Sequence, residues 1–166
     1  MYSDTLGFKQ NNVGNLRGNG VQWQGKTGMS HGFSVFNDRV FGIRAIYSDL
    51  LVKIKTGNDT ILGIISAYAP PSENDTNAYV KFVESNTGIS RDSKLTSDLT
   101  TVRKVVHAIS LRETGYNIPV TEHLSAEQLL IQKKSRELSR SVLLSYCYCD
   151  HYLLHTQKKL KWIINQ

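Results

Sequence analysis

Cysteine and proline are scarce in this chain, and it has no long apolar run. Only two of its 166 residues are Cys and three are Pro. The cysteines, Cys147 and Cys149, are too few for a disulfide framework, and free thiols fit a reducing cytosol. No segment is apolar enough over sufficient length to cross a bilayer, and Met1 to Gln10 lacks a basic stretch followed by an apolar one. We therefore expect synthesis in the cytoplasm, without a signal peptide or a membrane span.

Signatures of metal and cofactor sites are also lacking. The cysteines and two following histidines, His151 and His155, form a C-x-C-x-H-x3-H string. Zinc sites space their cysteines about two to four residues apart, and helix positions two apart point away from each other. The glycines of residues 14–20 lack the ending of a phosphate-binding loop, and no G-x-S-x-G is present. We expect neither a metal nor a cofactor.

Positive charge is concentrated at one end of the chain. The net charge is +6, and residues 133–166 supply +5 of it, from seven Lys and Arg against two acidic residues. Such a tail can contact nucleic acid, anionic lipid or an acidic cell-wall polymer, or it can be a solvated end without a partner. Aromatic residues are not interleaved with Lys and Arg as stacking on bases requires. We predict one domain over residues 1–132 and no nucleic-acid partner. Residues 133–166 are predicted to be a basic tail, either foreign to the domain or a peripheral helix.

Apolar spacing and capping residues predict a mainly α, α+β domain. Asn37 is expected to cap the first long helix, and Ser125 to begin the last one in a capping box with Gln128. Residues 20–36 are predicted to form a small extended region, with a strand over 31–36. The predicted helices cover residues 38–55, about 60–68, 75–85, 97–115 and a segment from 125 onward.

An unusual run of asparagine and glycine stands near the N-terminus. Residues 10–17 read Q-N-N-V-G-N-L-R, and Trp23 follows. Asn and Gly favour turns with left-handed backbone, whereas amide and guanidinium groups supply fixed hydrogen-bond donors and Trp supplies a flat apolar face. This combination suits a cleft for an uncharged, hydroxyl-rich ligand such as a sugar. The alternative is a plain turn region whose Trp fills the core.

Glu113 is the carboxylate of greatest interest. It lies at the predicted C-terminal end of a helix whose other face is apolar. A partly buried carboxyl group is what a general acid for glycoside cleavage requires. The alternative is a surface glutamate paired with Arg112 or Arg103.

A second carboxylate is needed for a two-acid glycosidase, and the segment P-S-E-N-D-T at 71–76 offers two. Glu73 is open to either a catalytic or a structural role. Asp75 stands where a helix begins, so we expect it to be a helix cap.

These segments together resemble a family of small phage and prophage proteins, the virion structural protein P5-like family. The family pattern has an N-N-P-G-N-[IL]-R run, then W-x-G, F-x-V-F, G-I-R-A, W-A-P-P-x-E-N-x-T and H-E-N-G. The resemblance covers about residues 8–130 in the same order. The matching segments are N-N-V-G-N-L-R at 11–17, W-Q-G at 23–25, F-S-V-F at 33–36, G-I-R-A at 42–45, Y-A-P-P-S-E-N-D-T at 68–76 and R-E-T-G at 112–115.

The family pattern is similar to that of lysozyme-like glucosaminidases and lytic transglycosylases, with the glutamate motif after the asparagine motif. This implies a lysozyme-like helical fold that is circularly permuted. It further implies cleavage of the glycan strands of bacterial peptidoglycan, with Glu113 as general acid and Glu73 as partner. The residues implied for sugar binding are Asn11, Asn12, Asn15, Arg17, Trp23, Tyr68, Asn74 and Tyr79.

Three departures from the family pattern bear on activity. Val13 replaces Pro, Tyr68 replaces Trp, and Arg112 and Thr114 flank Glu113 in place of His and Asn. These changes leave a second hypothesis open, a non-catalytic structural or interaction protein of a virion. In either case the resemblance implies synthesis in the bacterial cytoplasm, incorporation in a virion, and other virion proteins as partners. The catalytic hypothesis adds action at the cell wall.

Overall fold

The computed structural model describes residues 1–18, 20–72 and 75–140, and this part of the chain is mainly helical. One small antiparallel sheet accompanies the helices, which confirms the predicted α+β class. A short 3-10 turn at Tyr2–Asp4 precedes the longer elements. These are α1 (Leu6–Lys9), β1 (Lys26–Ser30), β2 (Phe33–Phe36), α2 (Arg39–Lys55), α3 (Ile61–Tyr68), α4 (Thr76–Thr87) and α5 (Leu99–Thr114).

The contacts divide the chain into a unit of residues 1–128 and a unit of residues 129–166. Residues 120–128 of the first unit are helical and are called α6 here. The described residues 129–140 of the second unit are also helical. Among the described helices, none combines the length and the apolar character needed to cross a bilayer. The predicted boundary after residue 132 stays a prediction, and the Cys147 to His155 string lies outside the described residues.

Capping residues fix the beginnings of three helices. The side chains of Thr60, Asp75 and Asp98 accept hydrogen bonds from backbone N–H groups three residues further on, at 3.0, 3.0 and 2.9 Å. This satisfies donors that have no partner inside the helix. Gly88 and Gly115 end α4 and α5 with φ of 70° and 71°, as their positions in the sequence predict.

Three local predictions were wrong. Asp38, not Asn37, caps α2 by accepting from the N–H of Val40 at 2.8 Å. Residues 31 and 32 form the turn between β1 and β2, so that the second strand begins only at residue 33. Ser125 lies inside a helix that starts five residues earlier, and its hydroxyl donates to the Thr121 carbonyl. That helix begins directly after Pro119, a residue that favours a first turn.

The core is centred on α2, whose residues Ile43, Ile46 and Leu50 are fully buried. This helix packs against α3, α5 and β2, while α4 packs against α3 and α5. The spacing of three and four residues places the apolar side chains on one stripe of the helix. The core therefore holds the C-terminal end of α5, which carries Glu113, close to the N-terminal segment.

Five polar side chains from three helices form a chain of hydrogen bonds in the interior. Tyr47 Oη donates to Glu127 Oε1 at 2.7 Å, and Arg103 donates two hydrogen bonds to the same carboxylate at 2.7 and 2.6 Å. Because the single hydroxyl hydrogen of Tyr47 goes to Glu127, its oxygen accepts from His123 Nδ1 at 2.9 Å. His123 Nε2 then accepts from His107 Nδ1 at 3.2 Å. The network joins α2, α5 and α6 with His123 neutral.

This network makes stability depend on pH. Burial lowers the pKa of His123 from 6.5 to about 4, with nearby His107 and Arg103 acting in the same direction. Burial also lowers the pKa of His107. Between pH 6.5 and about 4 the unfolded chain therefore binds more protons than the folded chain, so the free energy of unfolding falls as the pH drops. A shift of this size at His123 corresponds to about 3 kcal/mol.

We expect the free energy of unfolding in urea to be lower by roughly 2–3 kcal/mol at pH 4.5 than at pH 7. His123→Gln removes the titrating ring and is expected to flatten this dependence, although it lowers stability at pH 7. His31→Asn is the control, because His31 is exposed in the turn between the strands and Asn tolerates its left-handed φ of 52°. An unfolding free energy that stays constant from pH 7 to 4.5 would contradict a buried neutral His123.

Candidate functional site

The residues 11–18, called the Asn-rich loop here, are organised from within by Asn12. This side chain is fully buried. Its Nδ2 donates to the carbonyls of Leu16 and Ser34 at 2.9 and 2.8 Å, and its Oδ1 accepts from the N–H of Leu16 at 2.9 Å. Asn12 thus joins the loop to β2 instead of facing solvent.

Asn11 anchors the beginning of the loop. Its Nδ2 donates to the carbonyl of Phe36 at 3.1 Å, and its φ of 55° is left-handed. The backbone carbonyl of Asn11 packs directly on Gly42 of α2, where an added Cβ would lie 1.8 Å from that oxygen. The absence of a side chain at Gly42 is therefore what permits the loop to lie on the helix.

Asn15 connects the loop to Glu113. Its Nδ2 donates to Glu113 Oε2 at 2.9 Å, and its φ of 48° is a left-handed value that Asn tolerates. Tyr79 of α4, which is 3% exposed, donates its hydroxyl to Glu113 Oε1 at 2.8 Å. Nearby, the Thr114 hydroxyl shares its hydrogen between the carbonyls of Ser110 and Val13, at 3.0 and 3.3 Å. The loop and the end of α5 are thus joined side by side, and both Glu113 oxygens accept a neutral donor.

The arginines considered as partners of Glu113 have other neighbours. Arg103 forms its ion pair with Glu127 at 2.6 Å. The guanidinium of Arg112 lies over the rings of Tyr79 and Phe82, 5.6 and 5.7 Å from their centres. Among the described residues, no salt bridge within 4.0 Å joins Glu113 to a cation. The glutamate is therefore held by an amide and a phenol of the predicted site.

A cleft of about 360 Å³ opens beside the Asn-rich loop. The loop forms one side, and α2 with the end of α3 forms the other. The wall contains amide, guanidinium, carboxylate, ammonium and aromatic groups, which is the mixture that orients a polar ligand. The side chains that supply these groups belong to Asn15, Arg17, Trp23, Asp49, Lys53 and Tyr68.

Trp23 is held at the cleft by the glycine beside it. The α-carbon of Gly18 lies so close to the indole that an added Cβ would be 2.2 Å from it, and its φ is +54°. Lys26 Nζ donates to the carbonyls of Gly18 and Val21 at 2.8 and 3.0 Å and lies 6.0 Å from the Trp23 ring centre. The indole is half-buried, so part of its face remains open to a ligand.

Tyr68 closes the cleft near the end of α3. Its hydroxyl donates to the carbonyl of Gly14, which ties α3 to the Asn-rich loop. Burial raises the pKa of Tyr68, and the negative charges of Glu113 and Asp49 act in the same direction. Burial and the charge of Glu113 likewise raise the pKa of Tyr79. Both phenols stay protonated and act as hydrogen-bond donors.

Comparison with known proteins shows which family the chain belongs to. No protein-family model matches the chain. The chain is 37% identical over 117 residues to protein P5 of Pseudoalteromonas phage PM2, an alignment that covers 67% of the chain and 72% of that protein. The chain belongs to the phage protein P5 family. Its phage character is thereby supported, while the similarity to lysozyme-like enzymes and the circular permutation stay predictions.

The structure brings several predicted site residues of this P5-family chain together. Asn15 and Tyr79 contact Glu113 directly, and Asn15 also lines the cleft. Three more predicted residues, Arg17, Trp23 and Tyr68, line the same cleft. Their functional roles stay predictions.

Other predicted site residues lie elsewhere. Asn11 and Asn12 hold the backbone of the loop and are not part of the cleft wall. Asp75 caps α4, as predicted. Glu73 and Asn74 lie outside the described residues, so their predicted roles as partner carboxylate and sugar contact stay predictions.

The sequence did not indicate that two residues of α2, Asp49 and Lys53, line the cleft. They lie one helical turn apart in α2, with the ammonium 2.6 Å from both carboxylate oxygens. Oppositely charged residues four positions apart are common on exposed helix faces, so the pattern did not distinguish a cleft from a surface. The one usable signal was their position beside the buried stripe of α2.

Proposed function

We propose that this chain is a virion-associated phage protein that binds and cleaves the glycan strands of bacterial peptidoglycan. The observation that carries the proposal is the 2.9 Å hydrogen bond between Asn15, a residue of the cleft wall, and the carboxylate of Glu113. Cleavage of a glycoside requires a proton donor beside a groove that can orient sugars, and this groove is lined by an amide, a guanidinium and an indole. The proposal includes the lysozyme-like, circularly permuted relationship that the motif order implies.

Glu113 would act as the general acid. In its protonated form it would donate to the glycosidic oxygen, while the cleft wall holds the sugars on either side of that bond. Asn15 and Tyr79 would fix the orientation of the carboxyl group before substrate enters. A sugar hydroxyl or acetamido group can take the place of the Asn15 amide, because that side chain is only half-buried.

The direct test is incubation of the purified full chain with bacterial peptidoglycan. We expect new reducing ends or anhydro-sugars among the products, identified by mass spectrometry of the released muropeptides. Binding of the chain to insoluble peptidoglycan is measured in parallel by cosedimentation. A chain that neither binds nor releases products would contradict the proposal. Binding without products would remove the enzymatic part of it.

The second candidate function is a non-catalytic virion structural protein, and one observation favours it. Both oxygens of Glu113 already accept hydrogen bonds, and the residue stands behind Asn15 and is not among those lining the cleft. Holding the Asn-rich loop in position is by itself a sufficient structural role for a glutamate so placed. This function would be supported if the chain cosediments with other virion proteins and leaves peptidoglycan unchanged.

A further inference from the structure

The C-terminal half of α2 places a carboxylate, Asp49, in the wall of the cleft. Asp49 and Lys53 both line it, and their side chains are 21% and 18% exposed. Lys53 Nζ lies 2.6 Å from each oxygen of Asp49, so the ammonium fixes the orientation of the carboxylate. An ion pair this enclosed loses part of its hydration, and it is accompanied by polar cleft groups that can contact a ligand.

Tyr68 links the two carboxylates of the site. The Lys53 ammonium lies 5.9 Å from the centre of its ring, and its hydroxyl is bonded to Gly14, the residue before Asn15. Asn15 in turn is bonded to Glu113. Contacts therefore lead from Asp49 through Lys53 and Tyr68 across to the Asn-rich loop, and from the loop to Glu113. The charges of both carboxylates act on the Tyr68 hydroxyl.

We propose that Asp49 is the second carboxylate of this site, and that it stabilises the positive charge that forms on the sugar ring during cleavage. This inference rests on the proposed function. Glycosidases use a pair of carboxyl groups, and the sequence directed attention to the segment after α3 for the partner of Glu113. Asp49 supplies a carboxylate in the wall of the cleft itself. It stands on a rigid helix, which holds side chains more precisely than a loop does.

The roles of the two groups follow from the chemistry of the bond. The Glu113 proton passes to the glycosidic oxygen as the bond from that oxygen to the anomeric carbon breaks, and the bonding electrons leave with the oxygen. The ring oxygen shares an electron pair with the anomeric carbon, which gives a cation. Asp49 stabilises that cation by its charge until water or a hydroxyl of the same strand adds to the carbon and returns a proton to Glu113.

Substitution of Asp49 combined with anion rescue tests this role. We expect Asp49→Ala to lower kcat for peptidoglycan about 100-fold with a smaller effect on KM, the size typical of a lost charge-stabilising group. Sodium formate, a small carboxylate that fits the vacated volume, is expected to raise the kcat of Asp49→Ala about tenfold. Asp49→Asn keeps the shape of the side chain, and we expect its kcat to fall as far as that of Asp49→Ala. Formate is not expected to raise the kcat of Asp49→Asn, because the amide leaves no room for it to enter.

Asp59→Ala is the matched control. Asp59 is also paired with a lysine, Lys94 at 3.3 Å, and its side chain is 27% exposed, but it is not among the residues lining the cleft. We expect wild-type kcat for this variant, with or without formate. Wild-type activity in Asp49→Ala, or a loss that formate does not restore, would overturn the assignment of Asp49. An inactive wild-type chain would instead overturn the proposed function, so the two failures are distinguishable.

Discussion

Glu113→Gln is expected to lower the rate of peptidoglycan cleavage about 1000-fold, within the range seen when a general acid is removed. The amide has nearly the same shape as the carboxyl group but has no acidic proton to give to the glycosidic oxygen. One hydrogen bond is also affected, because the amide carbonyl can accept from Asn15 or Tyr79 while the amide nitrogen cannot accept from the other. We expect that loss to cost about 1 kcal/mol of stability.

Glu122→Gln is the matched control for this substitution. Glu122 accepts from the hydroxyl of Tyr116 at 3.0 Å, as Glu113 accepts from Tyr79, but it is paired with Arg39 and does not line the cleft. The measurement is release of muropeptides by equal amounts of each variant, with thermal unfolding to show that both are folded. Products from Glu113→Gln at the wild-type rate would assign the chemistry to another group. Retained cosedimentation with peptidoglycan would show that Glu113 acts in cleavage and not in binding.

Gly42→Ala is expected to destabilise the chain by about 3 kcal/mol, the upper part of the range for overpacking in a core. Alanine is the better helix former by about 1 kcal/mol, so propensity alone predicts the opposite sign. The new methyl group would meet the Asn11 carbonyl at 1.8 Å, and the Phe36 ring is 3.4 Å away. Because the nearest atom belongs to the backbone, the Asn-rich loop has to move off α2.

Gly63→Ala provides the comparison in another helix. A methyl group there would lie 3.3 Å from Thr60 Oγ1 and no nearer than 3.5 Å to backbone, so we expect unchanged or slightly increased stability. Urea unfolding of both variants at pH 7 measures the difference. Displacement of the loop in Gly42→Ala is also expected to separate Asn15 from Glu113, so cleavage falls even where the variant is folded. A Gly42→Ala chain as stable as wild type would contradict the tight contact between the loop and α2.

Helix positions were accessible from the sequence because the information is local. The apolar spacing of α2 and the caps at Thr60, Asp75 and Asp98 each depend on residues within one or two turns. The prediction of the α2 cap failed because two neighbouring residues competed for one role. Asp38 is the cap that was expected of Asn37, whose N–H instead donates to the carbonyl of Gly25, the residue before β1.

The candidate site could be predicted only in part. Motif order pointed to the Asn-rich loop and Glu113 as members of one site, and they are in contact across 98 residues of chain. The sequence did not distinguish Asn12 from Asn15, although one is fully buried and the other lines the cleft. Asn12 bonds to Ser34 of β2 and Asn15 bonds to Glu113 of α5, and both partners are distant in the chain from the loop.

By itself, the sequence determined the α+β class, most helix boundaries, the phage P5 family and the pairing of an Asn-rich loop with a glutamate at a helix end. Only the tertiary structure decided which asparagine meets that glutamate, and that Asp49 lines the cleft. It also decided that α6 is joined to the core through a neutral His123. Periodicity and capping act over a few residues, whereas these outcomes depend on burial and hydrogen bonds between segments that are distant in the chain.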